Sequence, residues 1–193
     1  MIKLIVGLGN PGQQYHKTRH NAGFLFLDHL IKNKSYGWSK DVRFDGLISE
    51  VEISGGKVIL LKPLTFMNRS GQAVGKVARY YKIKPNEILV VHDELDFGLG
   101  VMKLKKDGGH AGHNGLKDII AHLASKEFYR LRIGIGRPPA GRLVSDYVLS
   151  ENSQKEMNVL SSLFDIGLGC VEEMALQEMS IVMNKMNSHK IID

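Results

Sequence analysis

His20, Asp93 and three asparagines, Asn10, Asn68 and Asn114, are the residues of this chain best fitted to do chemistry. An imidazole exchanges a proton near neutral pH. A carboxylate bonded to one ring nitrogen fixes the tautomer and leaves the other nitrogen free to take that proton. A carboxamide can donate to a carbonyl oxygen that is gaining negative charge, or accept from an attacking water. Such a set suits water attack on an activated ester, with His20 as base and Asp93 as its orienter. Each residue also has a purely structural use. Asn10 begins the turn Asn10-Pro11-Gly12, Asn68 and Asn114 precede helical segments and suit N-caps, and Asp93 can cap a loop.

Other chemistries fit less well. Gly7-Leu8-Gly9-Asn10-Pro11-Gly12 matches the spacing of a dinucleotide-binding loop. That loop needs its third glycine to open a helix packed on the sheet, whereas Gln13-Gln14-Tyr15-His16-Lys17 offers no apolar face. His16 and His20 lie four apart and His110 and His113 three apart. The first pair straddles a loop, so neither pair makes a convincing metal site, and no metal or other cofactor is expected. No G-x-S-x-G elbow is present. Cys170, the single cysteine, stands in the apolar run Leu168–Val171 and reads as a buried, inert thiol. His16, His92, His110 and His122 read as structural or surface residues.

The elements that must position these groups alternate between strand and helix. Ile2–Gly9 is an apolar run ended by a turn, hence a buried strand. Phe24, Leu27, Leu30 and Ile31 predict a helix from Asn21 to about Lys32. Gly46–Ile53 and Lys57–Leu61 predict a hairpin through Gly55-Gly56. A helix follows from about Arg69, then strands at Ile88–Asp93 and Val101–Lys105, a helix at Gly115–Leu123 and a strand at Leu131–Gly136. Gly141–Ser145, after two prolines, reads as a mobile loop. Met157, Leu160, Phe164, Leu168, Val171 and Met174 mark one long amphipathic helix. The expected fold is α/β: a three-layer sandwich with a mixed, mostly parallel sheet flanked by helices, in a single domain covering residues 1–193. In open α/β sheets ligands gather beyond the carboxyl ends of the strands. If the strands point one way, Asn10, Thr65–Asn68, Asp93 and the run Gly108–Gly115 share one rim, with His20 leaning into it.

Twenty-six Lys and Arg against 20 Asp and Glu give a net charge of +6, which favours a polyanionic partner. The first ten residues hold too short an apolar run for a signal peptide, and no stretch is long and apolar enough to span a bilayer. A cytoplasmic protein is the simplest expectation.

The run Val6-Gly-Leu-Gly-Asn-Pro-Gly12, with Tyr15 and Thr18-Arg-His-Asn-Ala-Gly23, resembles the opening signature of bacterial-type peptidyl-tRNA hydrolases. So do Lys62-Pro-Leu-Thr-Phe-Met-Asn68 with Ser70-Gly71, His92-Asp-Glu-Leu-Asp96, Gly108-Gly-His-Ala-Gly-His-Asn-Gly-Leu116 and Arg130-Leu-Arg-Ile-Gly-Ile-Gly136. Five motifs in register span all but about the last fifty residues. The resemblance implies cleavage of the ester joining a peptide to tRNA, which returns tRNA to translation. It implies His20 as general base, Asp93 as its partner and Asn10 as the residue that recognises a blocked peptide. It further implies contacts of Tyr15, Phe66, Asn68 and Asn114 with the tRNA 3′ end. Met67 and His113 would shape the crevice, and Lys103, Lys105 and Arg132 would hold the tRNA body. The family is similar in using no metal and in acting as a cytoplasmic monomer. Physical chemistry agrees with parts of this. Tyr15 and Phe66 offer faces for an unpaired base, Lys103 and Lys105 alternate onto one strand face, and Gly108–Gly115 before a helix can turn amides toward an anion. Lys106-Asp107 departs from the small residues usual before Gly108-Gly109, and an acid there weakens phosphate binding.

Overall fold

The computed structural model describes residues 1–32 and 35–189. Seven strands form one sheet: β1 (Leu4–Gly7), β2 (Ser39–Asp41), β3 (Gly46–Ile53), β4 (Gly56–Pro63), β5 (Ile88–Glu94), β6 (Met102–Lys106) and β7 (Tyr129–Gly134), in the order β2-β3-β4-β1-β5-β7-β6. The inner strands β4, β1, β5 and β7 are parallel, and antiparallel pairs β3–β4, β2–β3 and β6–β7 finish the two sides. The expected mixed, mostly parallel sheet is what forms.

Helices cover both faces. α1 (Ala22–Ile31), α5 (Gln154–Leu176) and α6 (Met179–Asn187) lie on one side; α2 (Ser70–Tyr80) and α3 (Asn114–Leu123) lie on the other. Strands covered on both faces read as unbroken apolar runs. In β5, Leu89 and Val91 join the α1 side while Ile88 and Val90 join the α2 side. Leu160, Phe164, Val171 and Met174 of α5 are buried, as their spacing predicts. Cys170 is buried too, and burial pushes its thiol pKa up to about 12, as befits an inert group.

Several details differ from the sequence reading. The C-terminal helix is two helices, broken where Gln177 is extended. The segment Gly141–Ser145 runs into a short helix, α4 (Val144–Val148), whose Tyr147 hydroxyl donates to the Ile135 carbonyl. Most important, β6 runs against its neighbour β7. The strand before Gly108–Gly115 therefore ends on the opposite rim from β1, β4 and β5. Lys106 pairs with Tyr129, whereas Asp93 pairs with Ile133, four residues further along β7. At about 3.3 Å per residue, the loop after β6 must climb roughly 13 Å back before α3 begins.

Arg130 supports that climb. It is buried, and its guanidinium donates to the carbonyls of Gly108 and Gly109 at 2.5 Å each. Asp107, in the left-handed region at φ 66°, folds its carboxylate onto the Gly108 amide at 2.6 Å. On the other side of the rim, β1 and α1 approach closely. A Cβ on Gly23 would stand 2.3 Å from both the Leu8 nitrogen and the Val91 carbonyl oxygen, so only glycine permits this contact.

Candidate active site

Two loops and one strand end bring three side chains together. Asp93, buried near the end of β5, accepts from two imidazoles through one oxygen, Oδ1: His20 Nδ1 at 2.9 Å and His113 Nε2 at 3.0 Å. His113 is also the N-cap of α3. Its Nδ1 accepts from the Gly115 and Leu116 amides at 3.2 and 3.4 Å. An amide N–H can only donate, so Nδ1 carries no proton and Nε2 does. The cap thereby fixes His113 as a donor to Asp93. By the same logic His20 donates from Nδ1 to the carboxylate, and its Nε2 is the free, basic nitrogen.

The charges agree. Burial alone would raise the Asp93 pKa. The adjoining His20 and His113 more than reverse this and hold the carboxyl far below its ordinary range, so it stays ionised. Burial alone would lower the His20 pKa, but the charge and hydrogen bond of Asp93 outweigh it, leaving His20 above 6.5. His92, behind this pair, donates from Nδ1 to the Asp93 carbonyl at 2.6 Å and meets the His113 ring edge-on at 5.0 Å. Burial first, then His113, push its pKa down to about 3, so it is neutral. Its Nε2 is buried with no partner among the described residues.

His20 is held from both sides in sequence. Thr18, fully buried, bonds the Tyr15 carbonyl through its hydroxyl at 2.9 Å. Arg19 reaches Ser150 Oγ at 2.6 Å and Glu156 at 2.7 Å, with its guanidinium 4.6 Å above the Tyr147 ring. Asn21, buried next to His20, clamps Asn10: its Oδ1 accepts from the Asn10 amide at 2.8 Å and its Nδ2 donates to the Asn10 carbonyl at 3.0 Å. The Asn10 side chain is oriented in turn by Met67, whose amide donates to Asn10 Oδ1 at 2.8 Å. The carboxamide thus has one free end, Nδ2, which is a donor. Of the two uses open to Asn10 on sequence, this geometry favours donating to a carbonyl oxygen, since Nδ2 is bonded to nothing among the described residues while Oδ1 already accepts from Met67.

A cavity of about 470 Å³ opens beside the histidines, lined by His20, Asp93, Asn114, Lys105 and Arg132 among others. Met67 is buried beneath Asn10, while Asn68 and Phe66 are exposed on the same loop, Phe66 by 60%. Tyr15 is half-buried in the first loop. Lys103 is not in the cavity; its ammonium lies 3.5 Å from the Asn187 carbonyl on α6 and 5.9 Å from the Phe97 ring. The capping roles are reassigned. Asn114 is the first residue of α3, not its cap, and Asn68 sits within the 3₁₀ turn Met67–Arg69 ahead of α2. Within the anion nest expected over Gly108–Gly115, the Gly108 amide is spent on Asp107, the Gly112 amide on His110 Nδ1 and the Gly115 amide on His113 Nδ1, so part of it is already filled. The residues after Gly12 form a 3₁₀ turn, Gln13–Tyr15, and no long helix, which removes the dinucleotide reading.

Asn21, His92 and Arg130 are parts of the site that sequence reasoning passed over. Arg130 had a signal: it alternates with Arg132 on one face of β7, opposite Lys105 and Lys103 on β6. Asn21 and His92 had none, because their use depends on burial beside residues far away in the chain.

Comparison with known proteins agrees with the residue pattern. Residues 4–193 match the family described as peptidyl-tRNA hydrolase. A peptidyl-tRNA hydrolase of Methylococcus capsulatus is 51% identical over 187 residues, covering 97% of this chain and all of that protein. One from Haemophilus influenzae is 49% identical over 191 residues, covering 98% of each. The crystal structure of the peptidyl-tRNA hydrolase from Acinetobacter baumannii superposes with a TM-score of 0.92 at 44% identity, covering 98% of this chain and 96% of that one. With the sequence, the sheet and the whole length of its relatives in agreement, the chain belongs to the peptidyl-tRNA hydrolase family.

Proposed function

We propose that this chain hydrolyses the ester between a peptide and the 3′ end of tRNA by direct attack of water, with His20 as general base. The observation that carries the proposal is the double hydrogen bond onto Asp93 Oδ1, from His20 Nδ1 at 2.9 Å and His113 Nε2 at 3.0 Å. It leaves His20 Nε2 as the one nitrogen of the pair able to accept a proton. Water gives its proton to Nε2 as its oxygen bonds to the ester carbonyl carbon. Asn10 Nδ2 donates to the carbonyl oxygen as that oxygen becomes anionic. When the tetrahedral species collapses, the proton on His20 passes to the departing ribose oxygen, and peptide acid and tRNA separate. Asp93 stays ionised throughout and steadies the imidazolium.

Among the described residues, His20, Asp93 and His113 are the one cluster close enough to share a metal ion. The His113 cap argues against that use. Its Nδ1 takes two amide protons, so Nε2 bears hydrogen and has no lone pair for a metal. We therefore assign no metal. The basic residues Lys105 and Arg132 at the cavity suit the tRNA phosphates, and half-buried Tyr15 in the first loop suits an unpaired terminal base.

The test is release of N-acetylated amino acid from tRNA, beside an unblocked aminoacyl-tRNA, with chelator present. Release from the blocked substrate alone is expected. His20→Ala should fold normally and lose about 10²–10⁴-fold in rate. Full activity in that variant would remove His20 as base. tRNA binding without release by the unaltered chain would instead mark a non-catalytic RNA-binding relative.

A further inference from the structure

A second cleft lies on the far side of Asn10 from the cationic cavity. β1 is central in the sheet, with β5 and β7 on one hand and β4, β3 and β2 on the other. Asp41 of β2 pairs with Gly46 of β3, and Gly46 with Pro63 of β4, so these three ends share the rim on which Asn10 stands. Over them lies a groove of about 510 Å³, lined by Lys40, Asp41, Asp45, Phe66, Arg69 and Gln72 among others.

Its charges are unequal in availability. Asp41 accepts from Arg43 through both oxygens, with Nε at 3.0 Å and Nη2 at 2.6 Å, and Asp45 accepts from Lys76 at 2.5 Å. Neither Arg43 nor Lys76 lines the groove. The two acids are thus neutralised from outside. Lys40 and Arg69 are exposed and make no ion pair among the described residues. The groove therefore presents two uncommitted cations beside one exposed aromatic wall. That wall, Phe66, directly precedes Met67, whose amide orients Asn10.

The two arms of a peptidyl ester leave the scissile carbonyl in opposite directions. If the tRNA arm follows Lys105 and Arg132 beyond β5 and β7, the acyl arm passes Asn10 toward β4. We propose that this groove is the subsite for the peptide arm and that it favours acidic side chains upstream of the esterified residue, with Lys40 and Arg69 as counter-charges. The assignment rests on the hydrolase reading above. Side chains on the peptide would be read here by charge, while Asn10 Nδ2 engages the scissile carbonyl whatever the sequence. Because both cations are exposed, the preference is modest and fades with salt.

The experiment uses the full chain and one tRNA carrying acetylated tripeptides with Glu, Gln or Lys upstream of a fixed esterified residue. N-acetyl-aminoacyl-tRNA, too short to reach the groove, is the control. kcat/KM should fall from Glu to Gln to Lys, roughly three- to tenfold across the series at low salt. The double variant Lys40→Glu with Arg69→Glu should reverse that order and leave the short control unchanged. Equal kcat/KM for the three peptides in the unaltered chain would overturn the subsite. So would an equal loss on every substrate, control included, in the double variant, since that would make the groove a nucleotide contact. Absence of release from the control by the unaltered chain would instead remove the hydrolase reading, and the subsite with it.

Discussion

At the scale of single residues, the pH dependence of turnover follows from the environment of His20. The base works only when neutral. Its pKa lies above 6.5 because Asp93, by charge and hydrogen bond, outweighs the opposing effect of burial. kcat/KM should therefore be low in acid and rise to a plateau through a value above 6.5. In Asp93→Asn the raising influence is gone and burial remains, so the rising limb should move to lower pH while the plateau falls. A limb that stays in place would show that Asp93 does not set the His20 proton. A second residue-scale expectation concerns Asn21, which satisfies both the amide and the carbonyl of Asn10 from a fully buried position. Asn21→Ala leaves two buried polar groups unpaired and should cost roughly 1–3 kcal/mol of stability per group, read by denaturant unfolding. His20, Asp93 and Asn10 were legible in the sequence because their types announce their chemistry. Asn21 was not, since an asparagine that serves the backbone of another residue looks like any loop asparagine until both are placed.

At the scale of elements, His113 joins two jobs that can be separated. It caps α3 with Nδ1 and holds Asp93 with Nε2. His113→Ala loses both and should cost about 0.5–2 kcal/mol of stability, as removal of an N-cap does. His113→Asn restores a good cap, yet its shorter side chain cannot also span to Asp93. Its melting temperature should approach that of the unaltered chain while its kcat stays depressed like that of the alanine variant. Full turnover in the asparagine variant would show that Asp93 needs only His20. The helices and inner strands around this site could be read from the sequence, because a strand buried on both faces is written as an apolar run and an amphipathic helix as a three-four rhythm. β2, of sequence Ser-Lys-Asp, has no such mark and exists by pairing with β3. The direction of β6 was equally silent. Its residues alternate the same way whether it runs parallel or antiparallel, so the detour that delivers His113 to the rim emerges only in three dimensions.

At the scale of the whole molecule, the excess of positive charge is not spread evenly. Lys103 pairs across the sheet with Arg132, and Lys105 with Arg130. Like charges directly opposite one another weaken a sheet, so four cations on one face need either local partners or an anionic ligand. Arg130 spends its guanidinium on the Gly108 and Gly109 carbonyls, Arg132 has Glu94 at 3.8 Å, and Lys103 lies against the Asn187 carbonyl. Lys105 is exposed at the cavity and makes no ion pair among the described residues. A tRNA phosphate is the natural partner for it under the proposed function. Each phosphate contact releases counterions, so its loss flattens the dependence of binding on salt by about 0.7–0.9 in log–log slope. Lys105→Ala should lower the slope for a deacylated tRNA by that amount. Arg132→Ala should lower it less, because Glu94 already offsets part of its charge, and Lys103→Ala least, because its ammonium points toward α6. If the three variants lose slope equally, the tRNA reaches past the cavity to α6 and displaces the Asn187 contact. If none loses slope, the tRNA body does not run along β6 and β7. The acyl arm then loses its reason to turn toward β4, and the two halves of the rim exchange roles.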